Sequence, residues 1–300
     1  MENKPSNGSS SDSGGAGQPD SAPLDFGFIK NPPGKLYSVG THRLHARFIG
    51  DGSTTVVFEP GLGGSSFEWL PLAEELGTQV RVVLYDRGGY AWSDPGANPR
   101  HVMRLSAEVL LLLRSMRVNG PVVLVGHSYG GLVMRQLASL ISNPIAGLVL
   151  VDASHENQFQ RMSESSRVAM LPSSRNFVVA APELPLGLRD DIRRKIEAFS
   201  RMRKTYTALH AEIASFQESC NHIRDTRRRF NFPVSVISRG KDPHAEQDNG
   251  KTNRIWNELQ LDLLSLSQVS SQTMALNSGH HVHIDEPEYI RDSVLALSRW

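Results

Sequence analysis

Residues 122–131 read VVLVGHSYGG, an apolar run followed by a serine between glycines. The first four residues predict a buried strand, and the sequence after the last glycine has the apolar periodicity of a helix. Gly126 and Gly130 lie two residues before and after Ser128, where side chains would collide in a sharp strand-to-helix turn. The spacing therefore predicts a strained turn that lifts the Ser128 hydroxyl clear of a sheet.

A serine that attacks a carbonyl group needs hydrogen-bond donors for the oxyanion that develops on the carbonyl oxygen. One expected donor is the backbone N–H of Tyr129, which follows the serine. The second is expected from the loop after an earlier strand, where residues 59–64 read EPGLGG. Glycines let a backbone approach a ligand closely, so we assign the second donor to the N–H of Leu62.

His280 is the best placed of the 11 histidines to act as the general base. It follows a glycine in residues 278–287, SGHHVHIDEP, just after the last predicted strand. His280 and the neighbouring His281 and His283, together with Asp285, would also suit a metal site. No second ligand cluster is evident, however, and a serine mechanism already uses one of these histidines. We therefore predict neither a bound metal ion nor a cofactor.

Eight short apolar segments predict strands, and longer segments with helical periodicity separate most of them. The strand segments are residues 35–39, 44–49, 55–59, 80–85, 122–125, 148–151, 234–238 and 272–276. The predicted helices are residues 67–76, 102–116, 132–141, 254–266 and 287–298. The first two strands are close enough for an antiparallel hairpin, and the later ones leave room for right-handed helical crossovers. The alternation predicts an α/β fold with a mostly parallel eight-stranded sheet flanked by helices.

Two intervals break this alternation. Residues 1–25 are dominated by Ser, Gly, Asn, Asp and Pro, a composition that predicts a disordered tail. Residues 156–231 have helix-like sequence without a convincing strand, which predicts an inserted helical cap. The core is then expected to comprise residues 26–155 and 232–300.

The composition excludes several classes of protein. Lys and Arg number 32 against 31 Asp and Glu, so the formal charge of +1 gives no global field toward nucleic acid or an anionic membrane. Cys220 is the only cysteine, which excludes an internal disulfide and predicts a small packed apolar residue. No apolar stretch has the length of a membrane span, and the N-terminal residues lack the apolar run of a secretory signal. We expect a cytoplasmic protein that acts on a small molecule, without membrane insertion or nucleic acid; its oligomeric state has no sequence signal.

Taken together, these segments resemble the α/β-hydrolase superfamily over residues 34–300. Besides the serine turn and the Gly-His segment, residues 85–94 read YDRGGYAWSD, similar to that family's Asp-Arg-x-Gly-x-Gly-x-Ser loop with Ala91 where glycine is usual. The resemblance implies the α/β-hydrolase fold. It also selects His280, the histidine directly after glycine, over its neighbours.

The resemblance leaves the acid of a catalytic triad open between two aspartates. Most relatives carry the acid after the seventh strand, where Asp242 lies one residue off the usual spacing from its glycine. Other relatives carry it at the end of the sixth strand, where Asp152 lies. An acid that orients His280 needs only proximity to the ring. We prefer Asp242 because its position is the more frequent one in the family, and keep Asp152 as the alternative.

These residues predict a serine hydrolase that cleaves an ester-like or related acyl bond of a small molecule through an acyl-enzyme intermediate. In this hypothesis Ser128 attacks, His280 takes its proton and an aspartate orients His280. One alternative is a non-catalytic or slow ligand receptor built on the same fold. Another is a cofactor-free haloperoxidase or perhydrolase, which uses the same triad with peroxide in place of water. The sequence contains no signal for the identity of the substrate.

Overall fold

A computed structural model describes residues 27–163, 188–242 and 250–300. The predicted tail at residues 1–25 lies outside the described residues, and so do residues 164–187 of the predicted cap.

Eight strands form one sheet in the order β1-β2-β4-β3-β5-β6-β7-β8. They are β1 (Lys35–Ser38), β2 (Arg43–Ile49), β3 (Thr55–Glu59), β4 (Arg81–Tyr85), β5 (Val122–His127), β6 (Ile145–Val151), β7 (Val234–Arg239) and β8 (Ser270–Ala275). β2 pairs antiparallel with both β1 and β4, whereas every other neighbouring pair is parallel. The prediction of a mostly parallel eight-stranded α/β-hydrolase fold is confirmed, including its N-terminal hairpin.

Helices flank this sheet on both faces. The described α-helices are α1 (Gly27–Lys30), α2 (Leu70–Leu76), α3 (Val102–Ser115), α4 (Tyr129–Leu137), α5 (Gln158–Arg161), α6 (Asp190–Ser200), α7 (Arg203–Ala214), α8 (Phe216–Asp225), α9 (Lys251–Asp262), α10 (Val282–Asp285) and α11 (Glu288–Leu297). Short 3₁₀ turns, Ser66–Trp69 and Leu263–Leu266, precede α2 and follow α9. Among the described residues, no helix is both long and apolar enough to span a bilayer. The predicted cytoplasmic location stays a prediction.

The central strand β5 is buried along its whole length because helices cover both faces of the sheet. Its side chains alternate between the two cores, as the pleat requires. Val123 and Val125 belong to the apolar cluster on one face, and Val122 and Leu124 to the cluster on the other. This burial holds the carboxyl end of β5, and the turn that follows it, in a rigid setting.

Several predicted helix boundaries differ from the structure. α4 begins at Tyr129 and not at residue 132, because the turn at Ser128 passes directly from strand to helix. The helix predicted over residues 254–266 is α-helical only to Asp262 and continues as a 3₁₀ turn. Apolar periodicity locates a helix well but defines its ends poorly.

The described helices of the predicted insertion are α5, α6, α7 and α8. Helix α7 packs on the loop after β4: Lys204 donates to the carbonyl of Ala91 at 2.5 Å, and the Thr205 hydroxyl donates to that of Gly89 at 3.2 Å. The insertion is thereby attached to the loop that carries the Asp-Arg motif.

Candidate active site

The turn between β5 and α4 has the conformation that its glycines predicted. Ser128 has φ +50° and ψ −123°, a backbone conformation that residues with a Cβ rarely adopt. A Cβ on Gly126 would lie 2.5 Å from the Gly130 carbonyl oxygen, and one on Gly130 would lie 2.5 Å from that of Glu59. Both positions therefore require glycine, and the half-buried Ser128 faces out from the end of the sheet.

Backbone hydrogen bonds hold Ser128 to the neighbouring strand. Its N–H donates to the carbonyl of Val151 at 3.1 Å, and its own carbonyl accepts from the N–H of Ser154 at 2.9 Å. The residues around Asp152 thus fix the position of the serine backbone.

His280 pairs with Asp152. The distance between His280 Nδ1 and Asp152 Oδ2 is 2.6 Å, and Asp152 is fully buried while the His280 side chain is one-third exposed. His127 and Val151 are partners across β5 and β6, so Ser128 and Asp152 each follow a paired residue at the same edge of the sheet. A single neighbourhood therefore holds a serine, a histidine and a carboxylate.

Three further hydrogen bonds satisfy the Asp152 carboxylate. Oδ1 accepts from the indole N–H of Trp256 at 2.7 Å and from the backbone N–H of Arg239 at 3.2 Å, and Oδ2 accepts from the Arg239 guanidinium at 2.9 Å. Burial alone would raise the pKa of Asp152, but the Arg239 charge and these hydrogen bonds lower it to about 2. The carboxylate is held ionised against the ring of His280. Sequence reasoning missed Arg239 and Trp256, which carry no motif.

This geometry favours Asp152 over Asp242 as the partner of His280. Asp152, the alternative, lies at the acid-facing nitrogen of His280, whereas the carboxylate of Asp242 lies against Gly250, 3.4 Å from the position that a Cβ would take there. The preference for Asp242 rested on family frequency, which contains no information about which aspartate reaches the ring in this chain.

The loop after β3 packs against the serine. A Cβ on Gly61 would lie 3.2 Å from the Cβ of Ser128. The guanidinium of Arg87 donates to the carbonyl oxygens of Pro60 at 2.7 Å and Gly61 at 2.6 Å. The C=O and N–H of a trans peptide point in opposite directions, so this contact turns the N–H of Leu62 away from Arg87. Arg87 thereby orients the peptide that the sequence nominated as an oxyanion donor.

Arg87 is itself buried in a cluster of charges. It contacts Glu59 at 2.7 Å and forms a fork with Glu212 at 2.9 and 3.1 Å, and the Tyr90 hydroxyl donates to Glu212 at 2.9 Å. Burial raises the pKa of Glu59 to about 7 against the opposing charge of Arg87. Glu212 belongs to α7, and the cluster therefore connects this helix to the loop beside Ser128. Only the Asp-Arg motif hinted at it in the sequence.

Tyr129, the other nominated donor, opens α4 with its side chain turned into the core. Its hydroxyl donates to the carbonyl of Arg100 at 3.2 Å and lies 2.9 Å from the Ser219 hydroxyl, and burial raises its pKa. Its backbone N–H stands at the first turn of the helix, beside Ser128, where free amides favour negative charge.

The other predicted residues near His280 have different surroundings. Asp285 accepts from the Ser278 hydroxyl at 3.0 Å and from the Gly279 N–H at 3.2 Å, so it holds the turn before His280. His283 is buried and stacks on Trp69 at 4.5 Å between ring centroids. The metal set considered in the sequence, with Asp285 as a member, is therefore not brought together.

A cavity of about 390 Å³ lies between the loop after β4 and helix α7. Its walls include Gly96, Arg100, Lys204 and Ala208, and contain neither Ser128 nor His280. It does not define the pocket for the reacting group.

The sequence model of the alpha/beta hydrolase family matches residues 56–292 of this chain. The chain belongs to the alpha/beta hydrolase family. It is 26% identical to the uncharacterized protein YqjL of Bacillus subtilis over 264 residues, which cover 85% of this chain and 88% of the relative. Membership of this family supports hydrolase activity.

Solved structures of this family share the fold. An enol-lactonase from Burkholderia xenovorans LB400 superposes with a TM-score of 0.64 at 18% identity, covering 89% of this chain and 100% of its own. The epoxide hydrolase CorEH superposes with a TM-score of 0.63 at 16% identity. The match covers 88% of this chain and 97% of CorEH. These two alpha/beta hydrolases carry different chemistries, so the reaction must be argued from the site.

Proposed function

We propose that the protein is a serine hydrolase that cleaves an ester-like acyl bond of a small molecule, with Ser128 as nucleophile, His280 as base and Asp152 as acid. The contact of 2.6 Å between His280 and the buried Asp152 carries this proposal. A buried carboxylate fixes the ring tautomer and stabilises the charge that the ring gains when it takes a proton.

In the first half of the reaction, Ser128 Oγ attacks the carbonyl carbon and its proton passes to His280 Nε2. Asp152 accepts the hydrogen bond from Nδ1 throughout. The oxyanion is held by the backbone N–H groups of Leu62 and Tyr129. When the tetrahedral intermediate collapses, His280 returns the proton to the leaving alcohol and the acyl group stays on Ser128.

In the second half, water attacks the acyl-enzyme. His280 takes a proton from the water, and the second tetrahedral intermediate releases the acid and restores the Ser128 hydroxyl. No step needs a metal ion or a cofactor.

A serine nucleophile separates this chemistry from epoxide hydrolysis. Attack of a serine on an epoxide carbon would give an alkyl ether, which a Ser-His-Asp site cannot hydrolyse because it has no carbonyl carbon for water to attack. We therefore favour acyl substrates over epoxides for this chain.

Turnover of a chromogenic short-chain ester by the full chain tests the proposal. We expect sustained release of the alcohol, which falls by roughly 10³-fold or more in Ser128→Ala. Ser139→Ala, at the end of α4 and away from the site, is the matched control and should keep wild-type turnover. Folded wild type that binds ester without releasing alcohol would support the receptor hypothesis instead, and wild-type rates in Ser128→Ala would exclude this nucleophile.

A further inference from the structure

Three histidines converge behind the serine turn. His127, His281 and His283 each offer one ring nitrogen, and the three nitrogens lie within 4.8 Å of one another. His127 ends β5, directly before Ser128, while His281 and His283 flank the start of α10. His127 and His283 are buried and His281 is half-buried. The cluster therefore joins two segments that are far apart in the sequence.

The hydrogen bonding of His127 fixes which nitrogen is available. His127 Nε2 lies 2.9 Å from the carbonyl oxygen of His280, and a carbonyl only accepts, so Nε2 carries the hydrogen. The lone pair is then on Nδ1, which is buried and has no hydrogen-bond partner among the described residues. A Cβ on Gly61 would lie 3.0 Å from this nitrogen, so glycine there keeps the lone pair uncovered.

The other two rings also present buried nitrogens. Nδ1 of His281 and Nδ1 of His283 have no hydrogen-bond partner in the described part of the chain, and the nearest carboxylate oxygen to Nε2 of His283 is Glu68 Oε2 at 3.5 Å. A buried polar atom without a partner destabilises the fold. Neutral imidazole nitrogens that face one another are the donors that transition metals prefer.

A buried carboxylate stands behind one of these rings. Glu68 Oε2 lies 3.5 Å from His283 Nε2, and Glu68 is 8% exposed. A carboxylate behind one ring nitrogen orients a histidine so that its other nitrogen binds a metal ion, an arrangement that is usual in zinc proteins.

We propose that His127, His281 and His283 bind one divalent transition-metal ion, with Zn²⁺ the best match, and that Glu68 positions His283. Zinc binds imidazole nitrogen at about 2.0–2.1 Å, so tetrahedral ligands lie about 3.3 Å apart. The nitrogens, which lie within 4.8 Å of one another, must therefore approach further to bind the ion, and the half-buried His281 is the least enclosed of the three residues. The site does not depend on the proposed serine chemistry.

Zinc titration of the full chain tests the site. After treatment with a chelator, the protein competes for Zn²⁺ with a chromogenic chelator, and Co²⁺ reports the geometry through its visible absorption. We expect one Zn²⁺ per chain and a cobalt spectrum of four-coordinate type. His281→Asn, at the most exposed ligand, should weaken binding by at least about 100-fold and abolish that spectrum.

His222→Asn is the matched control, because His222 is a partly buried histidine on α8 that bonds to Gln136 at 3.0 Å. It should bind Zn²⁺ as the wild type does. Glu68→Gln should weaken binding about 10–100-fold and shift the cobalt bands, since the ligands remain but His283 loses its orientation. Circular dichroism establishes that each variant is folded. Wild type without stoichiometric Zn²⁺, or His281→Asn with wild-type affinity, would overturn the proposal.

Discussion

At the scale of single residues, backbone conformation marks the candidate site as clearly as side-chain chemistry does. Ser128 and Asp152 both have positive φ, +50° and +38°, and each directly follows a strand. Such conformations cost about 1–3 kcal/mol and persist only where the surroundings hold them. The strain at Ser128 was predictable because glycines flank it. The strain at Asp152 has no glycine signal and could not be read from the sequence.

The ionisation of Asp152 gives a prediction for Arg239. The pKa of Asp152 is about 2, so its carboxyl carbon should show no titration by NMR between pH 7 and pH 4. Arg239→Gln removes the cation that lowers this pKa, so the titration should move upward by at least about one unit. The carboxyl resonance is assigned with Asp152→Asn. A wild-type midpoint above pH 4 would contradict the account.

Cys220 should be chemically inert in the folded protein. It is fully buried, and burial raises the pKa of its thiol, so little thiolate is available for reaction. A chromogenic disulfide reagent should find no reactive thiol in native protein and one per chain in denaturant. Rapid native reaction would show that α8 opens readily.

At the scale of elements, the loop after β3 depends on Arg87 for its orientation. Arg87→Lys keeps the charge but loses the pair of guanidinium hydrogen bonds to the carbonyl oxygens of Pro60 and Gly61. We expect kcat to fall about 10–100-fold with little change in KM, because oxyanion donors act in the transition state. Arg81→Lys is the control, because Arg81 begins β4 and lies away from this loop. Unchanged kcat in folded Arg87→Lys would show that these two hydrogen bonds have no part in catalysis.

The elements also show where sequence reasoning ended. Parallel strands bring their carboxyl ends to one edge of a sheet, so the sequence could place Ser128, His280 and both aspartates near that edge. Choosing between the aspartates required knowing that Arg239 and Trp256 converge on Asp152. Those contacts depend on how α9 packs behind β6 and β7, which no local pattern encodes.

At the scale of the whole molecule, buried acids set the pH dependence of stability. Burial would raise the pKa values of Asp152 and Glu156, but Arg239 lowers the pKa of Asp152 to about 2. Arg135, which donates to the Glu156 carboxylate at 2.9 Å, lowers that of Glu156. A carboxyl whose pKa is lowered by folding stabilises the protein at pH values above its pKa in the unfolded state. This stabilisation is lost as the pH falls. The free energy of unfolding, measured with urea, should therefore fall steadily from about pH 4.5 toward pH 2. Constant stability over that range would contradict these pairings.

Glu59 acts in the opposite direction. Its pKa is raised to about 7 in the folded protein. Its contribution to the free energy of unfolding is therefore complete below about pH 4.5 and is lost as the pH rises through 7. Glu59→Gln mimics the protonated acid and should remove this loss, which flattens the stability curve between pH 5 and pH 8. A variant curve parallel to that of wild type would show that Glu59 is ionised.

Labelling with a fluorophosphonate, mapped by mass spectrometry, tests the proposed triad most directly. We expect one label at Ser128 in wild type and no label in Ser128→Ala. Labelling should be slowed by about 10³-fold or more in Asp152→Asn but not in Asp242→Asn. Slow labelling in Asp242→Asn with normal labelling in Asp152→Asn would contradict the acid, and folded wild type without any label would contradict the serine hydrolase itself.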